Sequence, residues 1–170
     1  MSNTRSLVRD CVRENPGIHF NEITRSLDIA TGQTQYHLRR LLHENRLVSE
    51  AVCGRTHYYP PTYSEWERTS IALFRRETTR ELVVVLLESG EKTPAELTDR
   101  LDLARSTVEW HLSNLVEYDI VTKQPRRDGD GVVVVLEQPD IVYRLLREID
   151  PRVSDRLVDR FARLTDRLLE

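Results

Sequence analysis

LDIATGQTQYHLRRLL (residues 27–42) recurs as LDLARSTVEWHLSNLV (residues 101–116), seventy-four positions later and without a gap. Leu27 falls on Leu101, Asp28 on Asp102, Ala30 on Ala104, His37 on His111, Leu38 on Leu112 and Leu41 on Leu115. Each copy reads as a short helix end, a tight turn and an amphipathic helix. Thr34, Leu38, Leu41 and Leu42 form the inward stripe of the first copy; Val108, Leu112 and Leu115 form that of the second. This is the sequence form of a helix-turn-helix, whose second helix has the dimensions to enter a DNA major groove.

Around the first copy, residues 4–14 place Leu7, Val8, Cys11 and Val12 on one helical face, and Asn15-Pro16-Gly17 stops that helix. Residues 18–27 are expected as the first helix of the helix-turn-helix and residues 30–45 as the second, with Thr31 as N-cap. Residues 46–59 change period and read as a β-hairpin turning at Cys53-Gly54, with Arg55 near its tip. A hairpin directly after the second helix is the wing of a winged helix. Residues 62–76 form a charged helical segment whose Trp66, Ile71, Leu73 and Phe74 suit packing against both flanking units.

The second copy repeats the plan. Its first helix, residues 81–89, is so rich in Leu and Val that composition alone fits a strand as well. The repeat decides for helix, since Leu82 falls on Val8 and Leu86 on Val12. Thr93-Pro94-Ala95-Glu96 is a capping box with proline at the first helical position. A longer hairpin, residues 120–136, carries a charged, glycine-rich tip. A helix from Pro139 to Ile149 and a last one from Ser154 to Glu170 complete the chain. The expected fold is mainly α with small β-hairpin wings: winged helix-turn-helix domains at 1–61 and 79–138, a linker helix at 62–78 and a C-terminal helical segment at 139–170.

Composition narrows the function. Residues are 39% hydrophobic and 31% charged, which suits a core-forming chain with a heavily charged surface. No apolar run approaches the ~18–20 residues that cross a bilayer, and the N-terminal MSNTRSLVRD lacks the apolar core of a signal peptide. The expectation is a cytoplasmic protein. Net charge is −3 but unevenly spread: residues 1–60 are net +2 and residues 61–170 net −5. Affinity for a polyanion should therefore concentrate in the first unit. Cys11 and Cys53 read as thiols. No phosphate-binding loop, dinucleotide turn, nucleophile elbow or metalloprotease motif occurs, so no enzyme is expected. His37, His43, Cys53 and His57 lack a metal-ligand spacing; no metal, cofactor or small-molecule ligand is expected.

The words GIHFNEITRSLDIATGQTQYHLRRLL with GRTHYYPP, and later LARSTVEWHLSNLVE, resemble winged helix-turn-helix regulators of the ArsR/MarR type, in the tandem form found in haloarchaea. The arginine-rich, acidic composition fits that resemblance: only Lys92 and Lys123 are lysines. It implies a DNA-binding transcriptional regulator, usually a homodimer on double-stranded DNA. A winged-helix module for protein interaction or chromatin-like architecture is the alternative.

Residue chemistry assigns the parts. In the first unit Gln33 and Gln35 can pair with base edges, Arg39 and Arg40 can meet phosphates or guanine, and Tyr36 a phosphate or a thymine methyl. Thr31 lies at the helix start, and Arg55 and His57 lie in the wing beside the DNA backbone. The second unit is a poorer reader: Thr107, Glu109, Ser113 and Asn114 stand where the first has Gln33, Gln35, Arg39 and Arg40. Arg105, Ser106, Thr107, Lys123, Arg126 and Arg127 could still make secondary contacts, or the unit could serve dimerisation. Trp110 reads either as a partner anchor or as packed on the linker helix. Val153, Leu157, Phe161, Leu164 and Leu168 form the apolar stripe of the last helix, a possible dimer seam.

Overall fold

The computed structural model describes residues 3–153, 155 and 157. The chain divides between Ala72 and Leu73 into two compact units. In the first, α1 (Thr4–Glu14), β1 (Ile18–His19), α2 (Phe20–Leu27) and α3 (Thr31–His43) precede the hairpin β2 (Val48–Val52) and β3 (Arg55–Tyr59). β3 lies between β1 and β2, antiparallel to both, with Ile18 opposite Tyr58 and Val48 opposite Tyr59. Residues 18–19, expected as helix, are strand. Ile18 is buried, and pairing with β3 satisfies backbone groups that the Pro16-Gly17 break leaves outside any helix.

The core of this unit collects Val8, Cys11, Val12, Ile18, Ile23, Leu38, Leu41 and Leu47, with Phe20, Leu27, Ile29, Leu42 and Tyr58 packed around them. Leu7 points away, 40% exposed, although its spacing placed it on the inner face. α4 (Glu65–Phe74) follows the wing. Its Arg68 is tied to the hairpin: Nε donates to Glu50 Oε2 at 3.1 Å, and the Arg68 carbonyl accepts from the Tyr59 hydroxyl at 2.6 Å.

The second unit repeats the order with α5 (Glu77–Ser89), α6 (Pro94–Leu101), α7 (Arg105–Glu117), β4 (Val121–Pro125), β5 (Val132–Leu136) and α8 (Pro139–Ile149). The run from Leu82 to Leu86 is helical, as the repeat requires, and all five residues are buried. α5 touches α6, β5 and α8, so neighbours cover it on several sides. The capping box forms: the Thr93 hydroxyl accepts from the Glu96 amide at 3.2 Å, and Glu96 Oε2 accepts from the Thr93 amide at 2.7 Å. These bonds favour the charged carboxylate and hold the Glu96 pKa below its usual value. The wing has two strands here, and Lys92 replaces β1 with a single bridge to Val134.

The turns repeat with the helices. Asp28 closes α2 at φ 50°, ψ 46°, and Asp102 closes α6 at φ 51°, ψ 47°. Their amides donate to the carbonyls of Thr24 and Thr98. Asp tolerates this left-handed backbone better than most side chains. Asn45 and Asp119 form a second matching left-handed pair, φ 53° and 56°. Both units therefore have the winged helix-turn-helix fold. The expected last helix, with its Ser154 cap and Phe161, Leu164 and Leu168, lies outside the described residues. Val153 and Leu157 are 3% and 2% exposed. Their area is already covered within the chain, which removes them from the expected dimer seam.

Candidate nucleic-acid interface

α3 is held by what it buries. Thr34, Leu38 and Leu41 point inward, and Thr34, a buried polar side chain, takes a hydrogen bond from the Thr24 hydroxyl at 3.3 Å. That contact joins the two helices of the first helix-turn-helix. The N-cap is Ala30 rather than the expected Thr31, which is the first helical residue, and no side chain caps the helix. The leading amides of α3 thus remain available to an anion. Thr31, Gln33, Gln35, Tyr36, Arg39 and Arg40 are all exposed, Tyr36 to 54%.

The exposed face has two flanks. On one, Gln35, Arg39 and Leu42, four and three apart, line a 280 Å³ cleft with Phe20, Leu38 and Tyr58. Phe20 and Tyr58 also line a 550 Å³ cleft with His19, Asn21, Glu22, Arg25, Arg55 and Thr56. Phe20 and Tyr58 line both clefts, which therefore adjoin on the surface from α3 past the start of α2 to the wing. They bring Arg39, Arg25 and Arg55 together with Gln35 and Asn21, against one carboxylate, Glu22. Asn21 and Arg25 were missed in the sequence. Their i,i+4 spacing on the outward side of α2 is the signal the sequence carries for them.

On the other flank, Arg40 Nη2 lies 3.4 Å from Glu44 Oε1, and Arg5 Nη1 of α1 reaches the same oxygen at 3.3 Å. Arg39 and Arg40, adjacent in sequence, therefore meet different surroundings.

His57 is not a wing contact. It is 2% exposed, its Nδ1–H donates to the Gly17 carbonyl at 2.7 Å, and its ring lies 4.3 Å from that of His19. Arg55 and His57, two apart in β3, share one face of the strand; they differ in cover, since Arg55 is exposed beside the turn and His57 is buried where it fastens the wing to the α1–β1 connection. The paired histidines of the repeat differ too. His111 Nδ1 shares a 2.8 Å hydrogen bond with the Thr79 hydroxyl. Burial, and then nearby Arg76, lower its pKa below the usual histidine value. At the repeat-equivalent positions Arg5 replaces Thr79, and Arg5 Nε and His37 Nδ1 are buried without a hydrogen-bond partner.

The second unit presents different chemistry. Glu109 pairs with Lys123 at 3.0 Å, which spends a carboxylate and one expected cation on each other. The Ser113 hydroxyl and the Asn114 amide donate back to the Glu109 and Trp110 carbonyls of their own helix. Arg105, Ser106, Arg126 and Arg127 are exposed, and Thr107 is half-buried. Trp110 is 52% exposed, with the Arg76 guanidinium 5.6 Å from its ring centre. Among the described residues no group of three or more His, Cys, Asp or Glu side chains converges as a metal site. No described helix is long and apolar enough to cross a membrane.

Comparison with known proteins agrees with this geometry. Residues 2–71 match a family described as an N-terminal HTH domain, and residues 76–124 match a helix-turn-helix domain family. An uncharacterised HTH-type transcriptional regulator of Methanocaldococcus jannaschii is 26% identical over 141 residues, 81% of this chain and 34% of the relative. A UPF0502 protein of Pseudoalteromonas translucida is 28% identical over 109 residues, 61% of this chain and 51% of the relative. The chain thus spans about a third and about half of the length of these relatives. Two helix-turn-helix domains and a regulator among the relatives support a DNA-binding regulator.

Proposed function

We propose that this chain of two winged helix-turn-helix domains is a transcriptional regulator that reads duplex DNA with its first domain. α3 enters the major groove, with Gln33, Gln35 and Tyr36 toward base edges. Arg39, Arg25 and Arg55 follow the phosphate backbone along the adjoining clefts from α3 to the wing, and the uncapped start of α3 at Thr31 takes a phosphate. The observation that carries this reading is the convergence of three arginines and two carboxamides beside the exposed helix, a pattern the second domain lacks.

The protein acts as a homodimer in this proposal, so its operator holds two half-sites about one helical turn apart or a multiple of that. Arg105, Arg126 and Arg127 supply at most a secondary contact. A protein-interaction role for the second domain has one observation of its own: an exposed Trp110 flanked on α7 by Glu109, Ser113 and Asn114, with no arginine among these central outward positions.

Selection of bound sequences from a random duplex pool tests the assignment, with footprinting of wild type and the Arg39→Ala/Arg25→Ala variant. Loss of the footprint in the variant is expected. An unchanged footprint overturns the role of the first domain. Light scattering of the full chain with and without the selected duplex reads the subunit count.

A further inference from the structure

A carboxylate stands where helix electrostatics disfavours one. Glu44 is the C-cap residue of α3, at the partly negative end of the helix dipole. Two arginines compensate it from different elements: Arg5 from α1 at 3.3 Å and Arg40 from α3 at 3.4 Å, both on the same Oε1. Arg5 and Glu44 are about 30% exposed at the side chain, and Arg40 is 48% exposed. The second domain has none of these groups, since Thr79, Asn114 and Tyr118 hold the three equivalent positions. The triad accompanies the reading helix and not the fold.

We propose that Glu44 determines specificity by competing with the DNA backbone for Arg40. The proposal rests on the DNA-reading assignment above. Duplex phosphates bind any accessible arginine regardless of sequence. With Arg40 paired to Glu44, a duplex that engages only the outer surface of α3 gains Arg39, Arg25 and Arg55 but not Arg40. The pair opens when α3 is fully seated and a phosphate replaces the carboxylate. The competing charge therefore lowers affinity for random sequence more than for an operator. Arg5 keeps the carboxylate in place when Arg40 leaves, so Glu44 is not left as an unpaired charge on the helix end.

The test uses the full chain and a mixed-sequence duplex, with binding measured by fluorescence anisotropy across a salt series. Glu44→Gln is expected to tighten binding about three- to tenfold near 0.1 M salt and to steepen the log–log salt slope by about one, the signature of one added phosphate contact. Adding Arg40→Gln in that background should cancel both changes. Arg40→Gln alone should change the wild-type affinity less than about twofold, whereas Arg39→Gln weakens it several-fold. Arg5→Gln leaves the Glu44–Arg40 pair intact and should not steepen the slope. An unchanged slope in Glu44→Gln, or an equal change in Arg5→Gln, overturns the competition and leaves a mere tether between α1 and α3. If Glu44→Gln loses its fold, a large loss in Arg40→Gln alone overturns the proposal equally. Wild-type protein that binds no duplex at low salt overturns the DNA-reading assignment itself, a result distinct from wild-type binding with a silent Glu44.

Discussion

Single side chains divide into those that face the clefts and those that hold them. Arg39 lines the cleft beside α3, and its loss should cost about 1–3 kcal/mol of DNA affinity if it reads a base, or flatten the salt slope by about one if it meets a phosphate. A salt-dependent titration of Arg39→Ala separates the two. His57 belongs to the second class. His57→Ala leaves the Gly17 carbonyl without its buried donor and should lower the stability of the first domain by about 1–3 kcal/mol. Denaturant unfolding shows this, and DNA affinity per folded molecule should stay within about twofold. Cys11 is buried among the core residues, and burial, with Glu14 and Glu22 nearby, raises its thiol pKa. It should resist alkylation in the native protein and react on unfolding.

Among the elements, local chemistry was most legible where one residue type suits one backbone state. The capping box at Thr93 and Glu96 is present as read, and Thr93→Ala should cost about 1 kcal/mol by chemical denaturation. The repeat resolved α5, whose valines favour a strand by composition. The wing was legible from its change of period, but which side chains it turns outward was not. His57 looked like a reader because its partners Gly17 and His19 lie about forty residues back in sequence. β1 was hidden for the same reason: two residues carry no period, and only the tertiary partner β3 makes them a strand. The clefts that add Arg25 and Asn21 arise where α2 meets the wing, a junction that no single helix pattern reports. At the hairpin turn Cys53 and Gly54 both have positive φ, 49° and 76°. Such a turn favours Asn at its first position, so Cys53→Asn should stabilise the hairpin by roughly 0.5–1 kcal/mol in a denaturant titration.

At the scale of the chain, charge and protonation separate the two domains. The basic half carries the proposed reading surface and the acidic half carries a paired Glu109–Lys123 and an exposed Trp110. Arg126→Gln/Arg127→Gln should therefore change DNA affinity less than Arg39→Gln, as a binding titration at one salt concentration will show. His111 gives the second domain one source of acid sensitivity. Its folded pKa lies below the ordinary value near 6.5, so the unfolded chain binds the proton more tightly. Its contribution is complete above about pH 6.5 and is lost as pH falls through and below that value. Urea midpoints at about pH 7.5 and 5.5 should differ less in His111→Gln than in wild type. The two wings also differ in what flanks their strands. β3 has a neighbour on each side, whereas β5 has β4 along its length and only the Lys92 bridge on the other. At His57 and Tyr58, where β3 is flanked by both β1 and β2, amide protons reach solvent only when that sheet separates. In deuterated water they should exchange late and together with the β1 amides, while the tip of the second hairpin exchanges first and one residue at a time.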